Sequence, residues 1–288
     1  MNKLATPTGT LEILHKYGLN PQKHLGQNFL VDANILAKII GAAEINPDDV
    51  VVEIGPGIGT LTRKLAEKAK QVIAVELDRS LLPVLRETLA DLSNVRVIHG
   101  NALRTDFDSL VFAETSEKTY KVVANLPYYI TTPIIAYFLE RSAGAVLLVL
   151  LVQWEVAARL VALPDNKDYG AISLLVQYYS QSEVVARVPP GVFWPRPAVS
   201  SALIRLRKRR QPAVALLDEK MFFAIVRAAF NRRRKILPNA LEQLDLNMTK
   251  EKLVELIQSA GVNPNRRGES LSLAEFAVIA NTIIHKKK

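Results

Sequence analysis

The sequence predicts an α/β protein, a doubly wound sheet filling most of the chain, with a small all-helical domain at its C-terminal end. Three observations carry this expectation. Residues 50–152 alternate short apolar strands with stretches of helical spacing, the pattern of a parallel sheet covered on both faces. A glycine-rich turn follows the first of these strands. Beyond residue 208, only helical periodicity remains. The expected division is therefore 1–208 and 209–288.

The elements follow in order. Asp32 is placed to cap a helix whose Ile35, Leu36, Ile39 and Ile40 share one face. Val50 to Ile54 is the first strand, β-branched and bounded by a glycine turn, and Thr60 to Ala69 then has helical spacing. Gln71 to Glu76, Val95 to Ile98, Tyr120 to Ala124 and Ala145 to Val152 are the next four strands. The apolar run from Ala143 to Val152 is about half of what a membrane helix needs, and it reads as a fully buried parallel strand. Ile172, Leu175, Val176 and Tyr179 fall at helical spacing. Glu183 to Val188 and Ser200 to Leu206 read as two further strands that add an antiparallel edge. Arg207 to Pro212 reads as a linker. After it, Phe222, Ile225, Val226 and Ala229 form one helical stripe, and Leu253, Leu256 and Ile257 another that stops at Gly261. Ser272-Leu-Ala-Glu275 has the form of a capping box for the last helix.

Composition excludes several chemistries. The chain has 288 residues and no cysteine, which removes disulfides, thiolate nucleophiles and cysteine-based zinc sites. Its four histidines, His15, His24, His99 and His285, show no ligand spacing, so no metal centre is expected. Residues Met1 to Thr6 lack the basic-then-apolar pattern of a signal peptide, and the expected location is the cytoplasm. The net charge of +9 points to a polyanionic partner.

The turn after the first strand reads Glu53-Ile-Gly55-Pro-Gly57-Ile-Gly59. Glycines there let the backbone turn tightly and approach a ligand, although any tight strand-to-helix turn uses them too. A dinucleotide fingerprint would need glycine where Thr60 stands, which argues against a nicotinamide cofactor. Glu76 closes the second strand about twenty residues on, where a carboxylate accepts from both hydroxyls of a ribose. Asn101, ending the third strand, either reads an adenine through one donor and one acceptor or is a turn residue.

Asn125-Leu126-Pro127-Tyr128 follows the fourth strand, at the carboxyl edge where doubly wound sheets bind ligands. Alone it also fits a plain Asn-x-Pro turn. As a site it suits an aromatic amine, whose lone pair is delocalised into its ring. Two acceptors aimed at the amine hydrogens favour a tetrahedral, nucleophilic nitrogen. The Asn125 side-chain oxygen and the Pro127 carbonyl supply two, and the proline ring holds the turn rigid. Tyr128 offers a face on which a flipped-out base stacks, worth roughly 1–3 kcal/mol. Asn125, Pro127 and Tyr128 are the candidate catalytic residues, working by position and electrostatics rather than by a strong base.

Taken together, these segments resemble the ribosomal RNA adenine N6,N6-dimethyltransferase family. The resemblance includes His24-Leu-Gly26-Gln27-Asn28-Phe29-Leu30, Val75-Glu76-x-Asp78 and Phe193-Trp-Pro195-Arg-Pro197-Ala-Val199-Ser-Ser201. It continues through Phe230-Asn-Arg-Arg-Arg-Lys235 and Arg267-Gly-Glu269-Ser-Leu271, and covers nearly the whole chain. Leu126 resembles the housekeeping branch, which dimethylates two adjacent adenosines near the 3′ end of small-subunit (16S) ribosomal RNA. The macrolide-resistance branch, acting on large-subunit RNA, usually has isoleucine there.

The resemblance implies a Rossmann-like methyltransferase sheet in 1–208, which binds S-adenosyl-L-methionine, and an RNA-binding helical domain in 209–288. Asn28, Leu30, Gly55, Gly57, Glu76, Asn101 and Asn125 are the implied cofactor contacts. The family often has aspartate at the position of Asn101. Phe193 is an implied second stacking face for the base, beside Tyr128. Arg232, Arg233, Arg234 and Lys235 are the implied phosphate contacts, with Arg266 and Arg267 later in the chain. The expected partner is ribosomal RNA within the small subunit or its precursor, the expected state a monomer away from membranes.

Overall fold

A computed structural model of the chain describes residues 3–22, 25–244, 246 and 248–287; His24 and Lys288 lie outside the described residues. The chain forms two compact units, one of residues 1–157 with 182–208 and one of 158–181 with 209–288.

The first unit is built on a seven-stranded sheet. In chain order its strands and helices run α1 (Pro7–Lys16), β1 (Phe29–Leu30), α2 (Ala33–Ala43), β2 (Val50–Ile54), α3 (Thr60–Ala66) and β3 (Gln71–Glu76). Then come α4 (Leu82–Thr88), β4 (Val95–His99), α5 (Phe107–Thr115), β5 (Tyr120–Asn125), α6 (Thr131–Glu140), β6 (Ala145–Gln153) and α7 (Trp154–Val161), the last crossing into the second unit. After α8 (Ala171–Tyr179) the chain returns through β7 (Ser180–Val188), β8 (Phe193–Trp194) and β9 (Ser201–Lys208). The sheet order is β4-β3-β2-β5-β6-β9-β7. β4, β3, β2, β5 and β6 are parallel neighbours, and β9 lies antiparallel to β6.

Local sequence explains the elements. Asp32 accepts from the Asn34 and Ile35 N–H groups at 2.8 and 2.9 Å, a side-chain cap that starts α2 with Ile35, Leu36 and Ile39 turned into the core. β6 is the continuous apolar run, and it sits between β5 and β9 with Leu147 through Val152 at most 1% exposed. Burial on both faces is what an uninterrupted apolar strand requires. Among the described residues no helix is long and apolar enough to cross a membrane.

Three features depart from the sequence expectation. β1 and β8 pair antiparallel, Phe29 opposite Trp194 and Leu30 opposite Phe193, a ribbon too short to leave a periodic signal. Arg207 and Lys208, expected in a linker, continue β9. Arg207 pairs with Glu44, and the Lys208 ammonium donates to the Phe138 and Ser142 carbonyls. Residues 158–181, expected with the sheet, group with the helical unit instead.

The second unit explains that last departure. Its later helices are α9 (Glu219–Asn231), α10 (Leu237–Leu241), α11 (Lys250–Ser259) and α12 (Leu273–Lys287). The Tyr169 hydroxyl donates to the Leu271 carbonyl at 2.9 Å, and its ring meets Phe230 edge-on at 5.6 Å. Tyr178 stacks on Phe222 at 5.8 Å. Aromatic anchors spaced nine residues apart thus tie this segment to α9 and the loop before α12. Gly261, at φ +75°, follows α11, and Ser272 and Glu275 exchange the two bonds of a capping box.

Candidate active site

The carboxyl ends of β2, β3, β4 and β5, together with residues 25–30, enclose a cavity of about 260 Å³ in the first unit. The loop after β2 forms one wall. Gly55 and Gly57 have φ of +68° and +61°, a region that L side chains rarely adopt. A Cβ on Gly57 would also lie 3.2 Å from the Phe29 ring, so the loop needs glycine for space as well as for angle. The Gly55 N–H donates to the Val75 carbonyl at 3.0 Å, and the Gly57 N–H to Glu76 Oε2 at 3.3 Å.

Glu76 ends β3 on the cavity wall, 6% exposed. Its Oε1 accepts from the Asp78 N–H at 2.8 Å. Burial raises its carboxyl to about 7, against the backbone donors that favour the charged form. Glu53, at the end of β2, also lines the cavity and is 2% exposed. Burial raises it to about 8, against the neighbouring Thr62 hydroxyl that favours the charged form, and its Oε2 makes no hydrogen bond of good geometry among the described residues. Sequence reasoning treated Glu53 only as the start of the glycine turn. A charged residue closing an otherwise apolar strand, Val50-Val51-Val52-Glu53, was the available signal.

Asn101 lines the cavity and caps the short turn after β4, its Oδ1 accepting from the Leu103 N–H at 2.9 Å. One lone pair of its oxygen is therefore engaged, and the amide nitrogen is left to donate to a ligand. The turn role is thus observed, in a residue that also lines the cavity. Leu77 and Leu103, also on the wall, are 41% and 46% exposed, large aliphatic surfaces open to a flat ligand.

The Asn125-Leu126-Pro127-Tyr128 segment forms another part of the lining. Asn125 Nδ2 donates to the Asn28 carbonyl at 2.8 Å. A backbone carbonyl only accepts, so this bond fixes which end of the amide points where. The Asn125 side-chain oxygen is thereby left for a donor. The Tyr128 hydroxyl meets Ser201 Oγ at 3.1 Å, which holds the ring in place. Pro127 departs from expectation: its carbonyl is engaged by the Ile130 N–H at 3.2 Å and the Thr131 hydroxyl at 3.3 Å. Both lone pairs are used in starting α6. No turn or loop N–H among the described residues donates to the Leu126 carbonyl, a further backbone acceptor in the segment.

The cavity thus gathers Asn28, Leu30, Gly55, Gly57, Glu76, Asn101, Asn125, Pro127 and Tyr128. Phe193 is not among its walls. At 4% exposed it packs in the core cluster with Leu30, Ile35, Val51 and Leu203, because its pairing with Leu30 turns it inward. In the second unit, Arg232 to Lys235 form the turn between α9 and α10. Arg233 pairs with Glu269 at 2.5 Å, while Arg232, Arg234 and Lys235 are exposed. Arg266 is bound to Glu275 and Ser270, and Arg267 is exposed.

Comparison with known proteins finds similarity along nearly the whole chain. Residues 18–285 match the family model described as ribosomal RNA adenine dimethylase. The ribosomal RNA small subunit methyltransferase A of Moorella thermoacetica is 52% identical over 99% of this chain and 100% of its own length. That of Geobacillus thermodenitrificans is 49% identical over 98% of this chain and 97% of its own. Among solved structures, a dimethyladenosine transferase from Plasmodium falciparum is 25% identical with a TM-score of 0.76, covering 87% of this chain and 95% of that one. The 23S rRNA methyltransferase ErmE is 26% identical with a TM-score of 0.68, covering 89% of this chain and 100% of that one.

The raised carboxyl of Glu53 gives a pH signature. A carboxyl near 8 in the folded chain and near 4.5 in the unfolded one binds its proton more tightly when folded. Its contribution to stability is complete below the lower value and is lost as pH rises toward 8. Thermal unfolding of the ligand-free protein from pH 5 to pH 9 should show Glu53→Gln gaining on the parent progressively between pH 5 and pH 8 and levelling off above that. Parallel pH profiles for the two proteins would contradict the buried carboxyl.

Proposed function

The chain belongs to the ribosomal RNA adenine dimethylase family, and on that premise we propose that it moves methyl groups from S-adenosyl-L-methionine to two adjacent adenosines near the 3′ end of small-subunit (16S) ribosomal RNA. The N6 amine is the acceptor. The observation that carries this is the Asn125 amide, whose nitrogen is spent on the Asn28 carbonyl and whose oxygen is free for an amine hydrogen.

The cavity fits the cofactor on its own residues. Glu53 Oε2 is a buried acceptor with no well-formed hydrogen bond among the described residues, suited to an ammonium group. Glu76 is held by two backbone donors with its carboxylate on the wall, suited to ribose hydroxyls. Leu77 and Leu103 offer aliphatic surface to an adenine ring, and the Asn101 amide nitrogen donates to its edge. Asn28 and Leu30 line the same cavity. When bound, S-adenosylmethionine supplies a methyl group on a positively charged sulfur that is its own leaving group.

The chain's residues then prepare the nucleophile. Asn125 Oδ1 and the Leu126 carbonyl accept from the N6 amine, localising its lone pair, and Pro127 keeps the turn rigid. Tyr128 stacks the flipped-out base. The preformed acceptors need no reorganisation as nitrogen becomes cationic, and the proton then leaves to solvent. In the second unit Arg232, Arg234 and Lys235 contact RNA phosphates, while Arg233 holds the turn that presents them. The same reading makes the enzyme a cytoplasmic monomer acting on the small subunit or its precursor.

Two measurements test this reading. Incubation with methyl-labelled cofactor and each ribosomal subunit should put label on adenine in small-subunit RNA; label confined to large-subunit RNA would overturn the target. Replacing Arg232, Arg234 and Lys235 with alanine should reduce the slope of log affinity against log salt by about 2, from roughly 0.7 per lost single-strand phosphate contact. An unchanged slope would return the three to ordinary surface.

A further inference from the structure

Outside the cavity, the first unit carries a second groove at the same carboxyl edge of the sheet. It also measures about 260 Å³ and is lined by Gln153, Trp154, Glu155, Arg187, Val199 and Ser200. Trp154 directly follows β6, the neighbour of the strand that ends in Asn125. Its indole is 39% exposed, an unusual cost for the largest apolar side chain, and the Arg187 guanidinium lies over the ring at 4.9 Å. Val185 and Val199 nearby are 39% and 47% exposed.

The groove is joined to the amine site by a short chain of contacts. The Tyr128 hydroxyl meets Ser201 Oγ at 3.1 Å, Ser201 pairs in register with Gln153, and the Trp154 N–H donates to the Ser200 carbonyl at 3.0 Å. Tyr128 is thus held to Ser201 and the Trp154 backbone to Ser200, two adjacent residues. Strand spacing and rise put the Cα atoms of Asn125 and Trp154 on the order of 10 Å apart.

We propose that this groove receives the nucleobase adjacent to the target adenine in the RNA strand. This rests on the reading of the chain as an RNA adenine methyltransferase and adds to it a second base-binding position. An indole and a guanidinium plane are surfaces on which any base stacks, without regard to its hydrogen-bonding edge. Glu155 in the same lining offsets the Arg187 charge, so the groove as a whole does not select a phosphate and favours the face of a base. The apolar patch is small, two valines beside one indole ring, which suits a single base better than a protein surface. Holding the neighbour fixes the strand's register and presents the target base to Tyr128 and Asn125.

The test uses the full-length protein and a short small-subunit RNA hairpin containing the target adenines, with 2-aminopurine at the flanking position. On wild type, binding should change the 2-aminopurine fluorescence; Trp154→Ala should lose that change. Methylation by Trp154→Ala should show KM for the hairpin raised about tenfold, as expected for one lost stack, with kcat and cofactor affinity within about twofold of wild type. Trp154→Phe should recover most of the loss, and Arg187→Gln should raise KM by a smaller factor. Arg187 is exposed, so this variant decides the matter if Trp154→Ala does not fold. Unchanged KM and an unchanged fluorescence response in the variants would overturn the groove while leaving the reaction standing. Failure of wild type to methylate the hairpin and the small subunit would overturn the reaction itself. Variants impaired on whole subunits but not on the naked hairpin would assign the groove to a protein partner and overturn the RNA occupant.

Discussion

The hydrogen bond from Asn125 Nδ2 to the Asn28 carbonyl spans 97 residues of sequence and decides the chemistry of the site. It converts an ambiguous carboxamide, donor at one end and acceptor at the other, into an acceptor facing the cavity. The arrangement works only if Asn28 is itself held. That is the task of the β1–β8 ribbon, which starts at the next residue, Phe29. Phe29 in turn packs against Gly57, whose N–H donates to Glu76. Amine clamp, glycine loop and acidic strand end are therefore one mechanical assembly. A shift in residues 25–30 would reach all three.

Much of this was legible in the sequence where the cause is local. The strands of the parallel sheet show as β-branched runs, and the Asp32 and Ser272 caps show as side chains next to the N–H groups that they satisfy. The glycine turn and Glu76 lie at a spacing that the strand-turn-helix-strand unit dictates. What escaped depends on distant partners. The β1–β8 ribbon has two residues a side, and Phe193 turns inward because of Leu30 across it. Pro127 looked like an acceptor until α6 was seen to use its carbonyl through Ile130 and Thr131. Residues 158–181 have the same apolar spacing whichever unit they pack in, so the anchors Tyr169 and Tyr178 could not be assigned from spacing alone.

The two buried carboxyls show how binding and stability oppose each other here. Glu53 and Glu76 sit at the ends of adjacent strands, both raised chiefly by burial, and each is costly to ionise without a ligand. An ammonium group or paired hydroxyls would relieve that cost at the moment of binding. Perturbed carboxyls in a concave site are what such a trade produces, and folded stability is given up for a preformed ligand shell. The same economy appears at the clamp, where each acceptor is oriented before any substrate arrives.

The central claim is that the Asn28 carbonyl orients Asn125, and an isosteric change tests it. Asn125→Asp keeps an oxygen toward the amine but puts a second acceptor against a carbonyl that can only accept. Single-turnover methyl transfer to small-subunit RNA, measured beside cofactor binding, is the decisive comparison. The account predicts that transfer falls by about a hundredfold or more, the scale for losing an oriented transition-state contact, while cofactor binding persists. Wild-type transfer by the aspartate variant would show that the orientation of this amide does not govern the reaction.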